Sequence, residues 1–144
     1  MAYSGKFVPK NTNKYLGDPT NIWYRSLWER RVMVHLDGNP SVIGWSNEEL
    51  VIPYLSPVDN RWHRYFPDFF VKVRNREGLS ESLVLEVKPK SQSMPPEKRS
   101  KITKKYINEV VMWGVNEAKW KAAVEYCKDR NWKFKVITEE DLKL

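Results

Sequence analysis

Asp68, Glu86 and Lys88 are charged residues set into otherwise apolar sequence. Asp68 follows Pro67 within Tyr65-Phe66-Pro67-Asp68-Phe69-Phe70-Val71, and Glu86 and Lys88 close Leu83-Val84-Leu85-Glu86-Val87-Lys88. Charge inside an apolar strand is costly unless it meets a partner or a metal. The chain has one cysteine, Cys127, and two histidines, His35 and His63. That is too few for a typical four-ligand structural zinc site. Hard oxygen donors suit Mg²⁺, with Mn²⁺ as a substitute, held by one or two carboxylates plus water and phosphate. Such an ion polarises a phosphoryl oxygen and acidifies a bound water. Lys88 would orient that water or neutralise charge developing on phosphorus, and the Val87 carbonyl would complete the coordination. The expected chemistry is hydrolysis of a phosphodiester, with Asp68, Glu86 and Val87 as metal ligands.

For this chemistry the two motifs must meet. Side chains alternate faces along a strand, so Glu86 and Lys88 share one face, as do Phe66, Asp68 and Phe70. A hairpin centred near Gly78 pairs position 68 with position 88, and the three charged residues then converge at one sheet end. A slip of one residue would send Asp68 to the opposite face.

Elements that would carry the motifs follow from pattern and punctuation. Residues 1–20 are polar, with Gly5, Pro9, Gly17 and Pro19, and read as a flexible basic arm that orders on binding. The remainder, 21–144, reads as one domain. A helix starting at 21 or 26 runs to 36 and stops at Asp37-Gly38-Asn39-Pro40. Strands are predicted over 42–45, 50–55, 64–74 and 82–88. Ile102, Tyr106, Val110 and Trp113 form a helical stripe. Gly114 is read as its end and Asn116 as the cap of a further helix bearing Trp120, Val124 and Cys127. A strand over 132–137 and a short helix capped by Thr138 complete the chain.

Bulk properties limit the function classes. The chain has 144 residues, 41% hydrophobic and 13% aromatic, too apolar for disorder. No run approaches the length of a membrane span, and the first residues show no apolar signal core. A single cysteine suits a reducing cytoplasm. The net charge of +7 is uneven: residues 36–88 carry six basic and eight acidic side chains, whereas 1–35 carry six and two and 89–105 six and one. Basic flanks around an acidic centre would attract a phosphate backbone and present carboxylates to it.

Pro67-Asp68 followed by Glu86-Val87-Lys88 resembles the signature of the PD-(D/E)xK nuclease superfamily. That likeness implies an α/β, restriction-endonuclease-like αβββαβ core with a central mixed sheet flanked by helices. Tyr24-Arg25-Ser26-Leu27-Trp28-Glu29, Asp37-Gly38-Asn39-Pro40-Ser41-Val42, and the tail segments 121–127 and 132–138 are similar to TnsA-like transposon endonucleases. TnsA-like proteins commonly carry Gln-x-Lys where this chain keeps Glu86-Val87-Lys88. Over essentially the whole length the chain also resembles the head-completion nucleases of T-even-type tailed phages. The resemblance implies a magnesium-dependent endonuclease acting on double-stranded DNA in packaged heads before tails are joined. It further implies the cytoplasm of an infected host, or the virion, as location, and the phage portal or head–tail connector as partner. By the same likeness Glu29 joins Asp68, Glu86 and Lys88 as a catalytic residue. By spacing alone, Ser26-Leu27-Trp28-Glu29 is a capping box in which Glu29 bonds back to the helix start.

Other residues have weaker patterns. Lys90, Lys98, Arg99, Lys101, Lys104 and Lys105 form the densest basic stretch and read either as a clamp on the DNA backbone or as a solvated face. Lys119 and Lys121 flank Trp120, and one of them is expected to face the site. His63 and Arg64 precede the Pro-Asp motif and are candidates for phosphate contact. Trp62, Tyr3 and Tyr15 lie in polar surroundings and are the candidates for base stacking. The competing reading is a virion assembly protein that binds DNA or the portal on a nuclease-like scaffold, because fold does not dictate function.

Overall fold

The computed structural model describes residues 3–142. Its centre is a four-stranded mixed sheet made of β3 (Val42–Asn47), β6 (Phe69–Arg74), β7 (Ser80–Val87) and β8 (Lys133–Ile137), in that order. The first three strands pair antiparallel, and β8 adds parallel to β7. Helix α1 (Leu27–Gly38) precedes the sheet, and α2 (Lys104–Asp129) makes the crossover between β7 and β8. The αβββαβ order is interrupted by a hairpin of β4 (Ile52–Leu55) and β5 (Trp62–Tyr65), which forms its own two-stranded sheet. A ladder of β1 (Gly5–Lys6) with β2 (Trp23–Tyr24) and a final short helix α3 (Glu139–Leu142) complete the fold.

Strand alternation sorts the core onto the two sheet faces. Phe69, Val71 and Leu85 turn to the face covered by Val32, Met33 and Leu36 of α1, around a fully buried Trp45. On the other side Ile52, Tyr54 and Tyr65 pack with Ala123 of α2, joined by Trp120, Tyr126 and Phe134. Of the two starts the sequence leaves open, helix α1 takes the one at Ser26, whose hydroxyl accepts from the Glu29 N–H at 3.2 Å.

Three sequence expectations change in the structure. Residues 3–20 do not hang free as an arm. Phe7 and Tyr15 are buried against Trp45, and the Asp37 carboxylate accepts from the Lys10 and Asn11 backbone N–H groups at 2.9 and 3.2 Å. The buried Tyr15 is therefore no stacking platform. The single strand expected over 64–74 is two strands in two sheets, because Pro67 has no N–H for a ladder and breaks the pairing. The helix break expected at Gly114 is absent. Helix α2 runs without interruption for 26 residues, with Asn116 buried in its interior rather than capping, since one glycine costs a helix this long only about 1 kcal/mol. Among the described residues no helix is long and apolar enough to cross a membrane.

Candidate functional site

Pro67 determines where Asp68 stands. The chain leaves β5, kinks through the buried Pro67 and enters β6 directly after Asp68. The Asp68 carbonyl accepts from the Glu48 N–H at 3.1 Å and the Asn47 side-chain amide at 3.0 Å, which ties the kink to the end of β3. The β6–β7 hairpin pairs Phe69 with Leu85 and Arg74 with Ser80. Extending that register by one step sets Asp68 opposite Glu86, not opposite Lys88 as the sequence predicts. The loop closes through Asn75, whose Oδ1 accepts from the Glu77 and Leu79 N–H groups, and so turns two positions tighter than a hairpin centred on Gly78. An offset of two preserves the face, so the convergence itself survives.

The two carboxylates are fixed by donors. Asp68 Oδ2 accepts from the Val87 N–H at 2.7 Å. Glu86 Oε1 accepts from the Tyr65 hydroxyl at 2.9 Å and from the Asp68 N–H at 3.3 Å. They face a cavity of about 570 Å³. Helix α1 and its lead-in contribute Glu29 and Arg25, the end of β3 contributes Glu48, and the end of β5 contributes Arg64, Tyr65 and Phe66. Val87 and Lys88 line it from β7, and Lys119 from α2. Glu29, Asp68 and the consecutive Glu86, Val87 and Lys88, three segments far apart in sequence, are thus brought together. Glu29 serves as a cap as well: its Oε2 accepts from the Arg25 N–H at 3.0 Å while the side chain lines the cavity.

Burial pushes the Asp68 carboxyl up to about 8, with the charge of Glu86 as the next cause. Burial also raises Glu86, against the Tyr65 hydrogen bond and the charge of Lys88, which pull it down. Glu29 is raised for the same first reason. Tyr65 is held far above the ordinary phenol range by burial and by the neighbouring Glu86 charge. This negative charge is incompletely compensated, so a dication would relieve it. Apart from the contact between the two carboxyls themselves, Asp68 Oδ1 and Glu86 Oε2 accept from no N–H or O–H donor among the described residues, and these are the oxygens left for an ion. Among the described residues no three Asp, Glu, His or Cys side chains close around one point. The donor set therefore fits an ion that takes two carboxylates and fills its shell with carbonyl, water and phosphate oxygens, as Mg²⁺ does.

The basic stretch of residues 90–105 is not at the cavity. Lys98, Arg99, Lys101, Lys104 and Lys105 are exposed outside its lining. Arg99 pairs with Glu109 at 3.6 Å and Lys90 with Glu140 at 2.7 Å. The cations at the cavity are Arg25, Arg64, Lys88 and Lys119. Of the two lysines flanking Trp120, Lys119 faces the site, and Lys121 pairs with Glu117.

Tyr65, Glu48 and Arg25 were not legible from spacing. In one continuous strand Tyr65 would lie opposite Asp68 in parity, and only the kink at Pro67 turns its hydroxyl onto Glu86. Glu48 adopts a left-handed backbone (φ 55°) directly after β3 and pairs with Arg25 at 3.1 Å. A glutamate there is a conformational cost of the kind found at functional sites, and no local sequence signal marks it.

Comparison with known proteins accords with this geometry. The profile of the family described as TnsA-like endonuclease N terminal matches residues 39–139. The head completion nuclease of Enterobacteria phage T4 is 42% identical over 147 residues, spanning 99% of this chain and 95% of that protein. No solved structure gives a significant match. The match covers the sheet, the kink at Pro67 and both carboxylates, and on that ground the chain belongs to the TnsA-like endonuclease family.

Proposed function

We propose that this protein is a divalent-metal-dependent endonuclease that hydrolyses DNA phosphodiester bonds as phage heads are completed, before tails join. The observation that carries the reading is the juxtaposition of Asp68 and Glu86 at one sheet end, each with one oxygen held by a donor and one left open. Mg²⁺, with Mn²⁺ as a substitute, would be held by Asp68, Glu86 and the Val87 carbonyl. When bound, the ion supplies Lewis-acid polarisation of the phosphoryl oxygen and an acidified water.

The remaining work falls to the chain. Tyr65 and the Asp68 N–H orient Glu86, and the Val87 N–H orients Asp68, so neither carboxylate must reorganise during the reaction. Lys88, on the same strand face as Glu86, neutralises charge developing on the phosphoryl oxygens. Glu29 sits across the cavity, where its carboxylate can take a proton from the attacking water. Arg25, Arg64 and Lys119 hold flanking phosphates. The exposed lysines of segment 90–105 would add a salt-sensitive attraction further along the backbone. The work would be done in the cytoplasm of the infected cell or in the virion, with the portal or head–tail connector as recruiting partner; co-purification with those proteins tests the partnership.

Supercoiled plasmid incubated with the protein, in magnesium and in EDTA, tests the activity, with Glu86→Ala alongside. The expected result is nicking or linearisation that requires both the ion and Glu86. A folded, DNA-binding protein that cuts under neither condition would move the reading to a structural role in head assembly.

A further inference from the structure

The β4–β5 hairpin has one face that none of the described residues covers. His63 and Tyr65 turn towards α2: the His63 ring lies against Tyr54 with centroids 5.8 Å apart, and the Lys119 ammonium sits 5.6 Å over the Tyr65 ring. The acid of this hairpin, Asp59, is occupied by His63 at 2.8 Å. By strand alternation Trp62 and Arg64 take the opposite face. Trp62 is 71% exposed, and its cross-strand partner Leu55 is 44% exposed. Phe66 is 43% exposed, with the Arg64 guanidinium 5.8 Å over its ring.

This aromatic face is continuous with the catalytic cavity. Arg64 and Phe66 belong to both, since they line the cavity that holds Asp68 and Glu86. A DNA strand whose phosphate reaches the carboxylates and which leaves the cavity past Arg64 and Phe66 would carry its next nucleotides over Trp62. Two aromatic rings interleaved with a planar cation offer π-faces to bases, and stacking of this kind needs bases that are not already stacked in a duplex. Arg64 adds positive charge for the backbone at the same place.

We infer that this hairpin face is a stacking platform for unpaired bases, and that the preferred substrate class is DNA with a single-stranded segment beside the scissile phosphate. The inference rests on the nuclease reading for the direction of the strand. It goes further in assigning Trp62, Arg64 and Phe66 to substrate selection.

Binding without catalysis separates the two. Fluorescence anisotropy in EDTA at one fixed salt concentration would compare a single-stranded oligonucleotide, a blunt duplex, and a duplex with a single-stranded tail. Wild-type protein should bind the tailed and single-stranded DNA roughly tenfold more tightly than the blunt duplex, the loss typical of one missing aromatic stack. Trp62→Ala should erase most of that preference, and Trp62→Phe should retain it. Because Trp62 is exposed, both variants should melt with the wild type, which excludes unfolding as the cause. Equal wild-type affinity for blunt and tailed DNA, or an Ala variant that keeps the preference, overturns the inference. Wild-type protein that binds none of the three DNAs also overturns it and leaves the face to a protein partner. Plasmid cleavage in magnesium without any Trp62-dependent preference would sink the platform and spare the nuclease. A Trp62-dependent preference without cleavage would do the reverse.

Discussion

The backbone N–H of Val87 donates to Asp68 Oδ2 at 2.7 Å, so the strand that carries Glu86 also holds the carboxylate that faces it. The bond crosses the β6–β7 pairing just beyond Phe69–Leu85, where Pro67 has ended the ladder. A backbone donor committed to the ionised form favours charge on Asp68, while burial and the charge of Glu86 oppose it. The site is therefore shaped for a carboxylate but is short of positive charge, and this imbalance leads to the first two predictions.

Replacing Asp68 by Asn keeps an oxygen for the Val87 N–H and removes the buried charge. Cleavage should fall by at least about a hundredfold, the range for loss of a metal-site interaction. Metal-free Asp68→Asn should melt above the wild type, and about 1 kcal/mol moves a chain of this size by roughly 2–4 °C. Calorimetry in EDTA checks it; a variant that melts well below the wild type would contradict the idea of uncompensated charge.

The same imbalance sets a pH dependence. The Asp68 carboxyl rises from 3.8 to about 8 on folding. Between those values the folded state holds a proton that the unfolded chain has released, so stability falls as pH increases through the window. Glu29 and Glu86 are raised in the same direction. In EDTA the melting midpoint should drop between pH 5.5 and 8.5, and magnesium should restore it at pH 8.5 but not at 5.5. Asp68→Asn should flatten the profile. Midpoints that rise with pH in EDTA would refute the assignment.

Tyr65 lines the cavity and its hydroxyl donates to Glu86, which makes it a positioning residue. Tyr65→Phe leaves the ring packed against Tyr54 and α2 but deletes the donor to Glu86 Oε1. Activity should fall about 10–100-fold with a raised magnesium requirement, as for other outer-shell partners. The stability change should stay near 1 kcal/mol. A magnesium titration of cleavage rates reads it, and an unchanged half-saturating concentration would show that the hydroxyl does not tune the site.

Gly114 lies within an unbroken α2, and a Cβ built there would meet only Pro57 Cγ at 3.9 Å. Gly114→Ala should therefore stabilise the protein by about 0.5–1 kcal/mol, from the lower entropy lost on folding. Thermal denaturation checks it, and a lower midpoint would imply that the helix needs flexibility at that point.

Some of this was legible in the sequence because it depends on local rules. Alternation along a strand put Glu86 and Lys88 on one face whatever the rest of the chain did. Parity put Asp68 with them under any even offset of the hairpin, so an error of two in the predicted register did no harm. The capping pattern Ser26 to Glu29 located the start of α1 correctly, because caps are contacts over three residues. The tertiary structure alone decided what depends on distant segments. Helix packing outweighed the glycine at 114, and burial of Phe7 and Tyr15 drew the polar residues 3–20 onto the core. The kink at Pro67 moved β5 out of the central sheet, and that movement brought Tyr65 onto Glu86 and left Trp62 uncovered. Arg25 and Glu48 met across the cavity because the start of α1 and the end of β3 meet there. Types and periodicity act within a few residues, so the sequence named the carboxylates and the lysine; their donors, rim cations and neighbouring aromatic face come from segments far along the chain, and only the packed fold places these side by side.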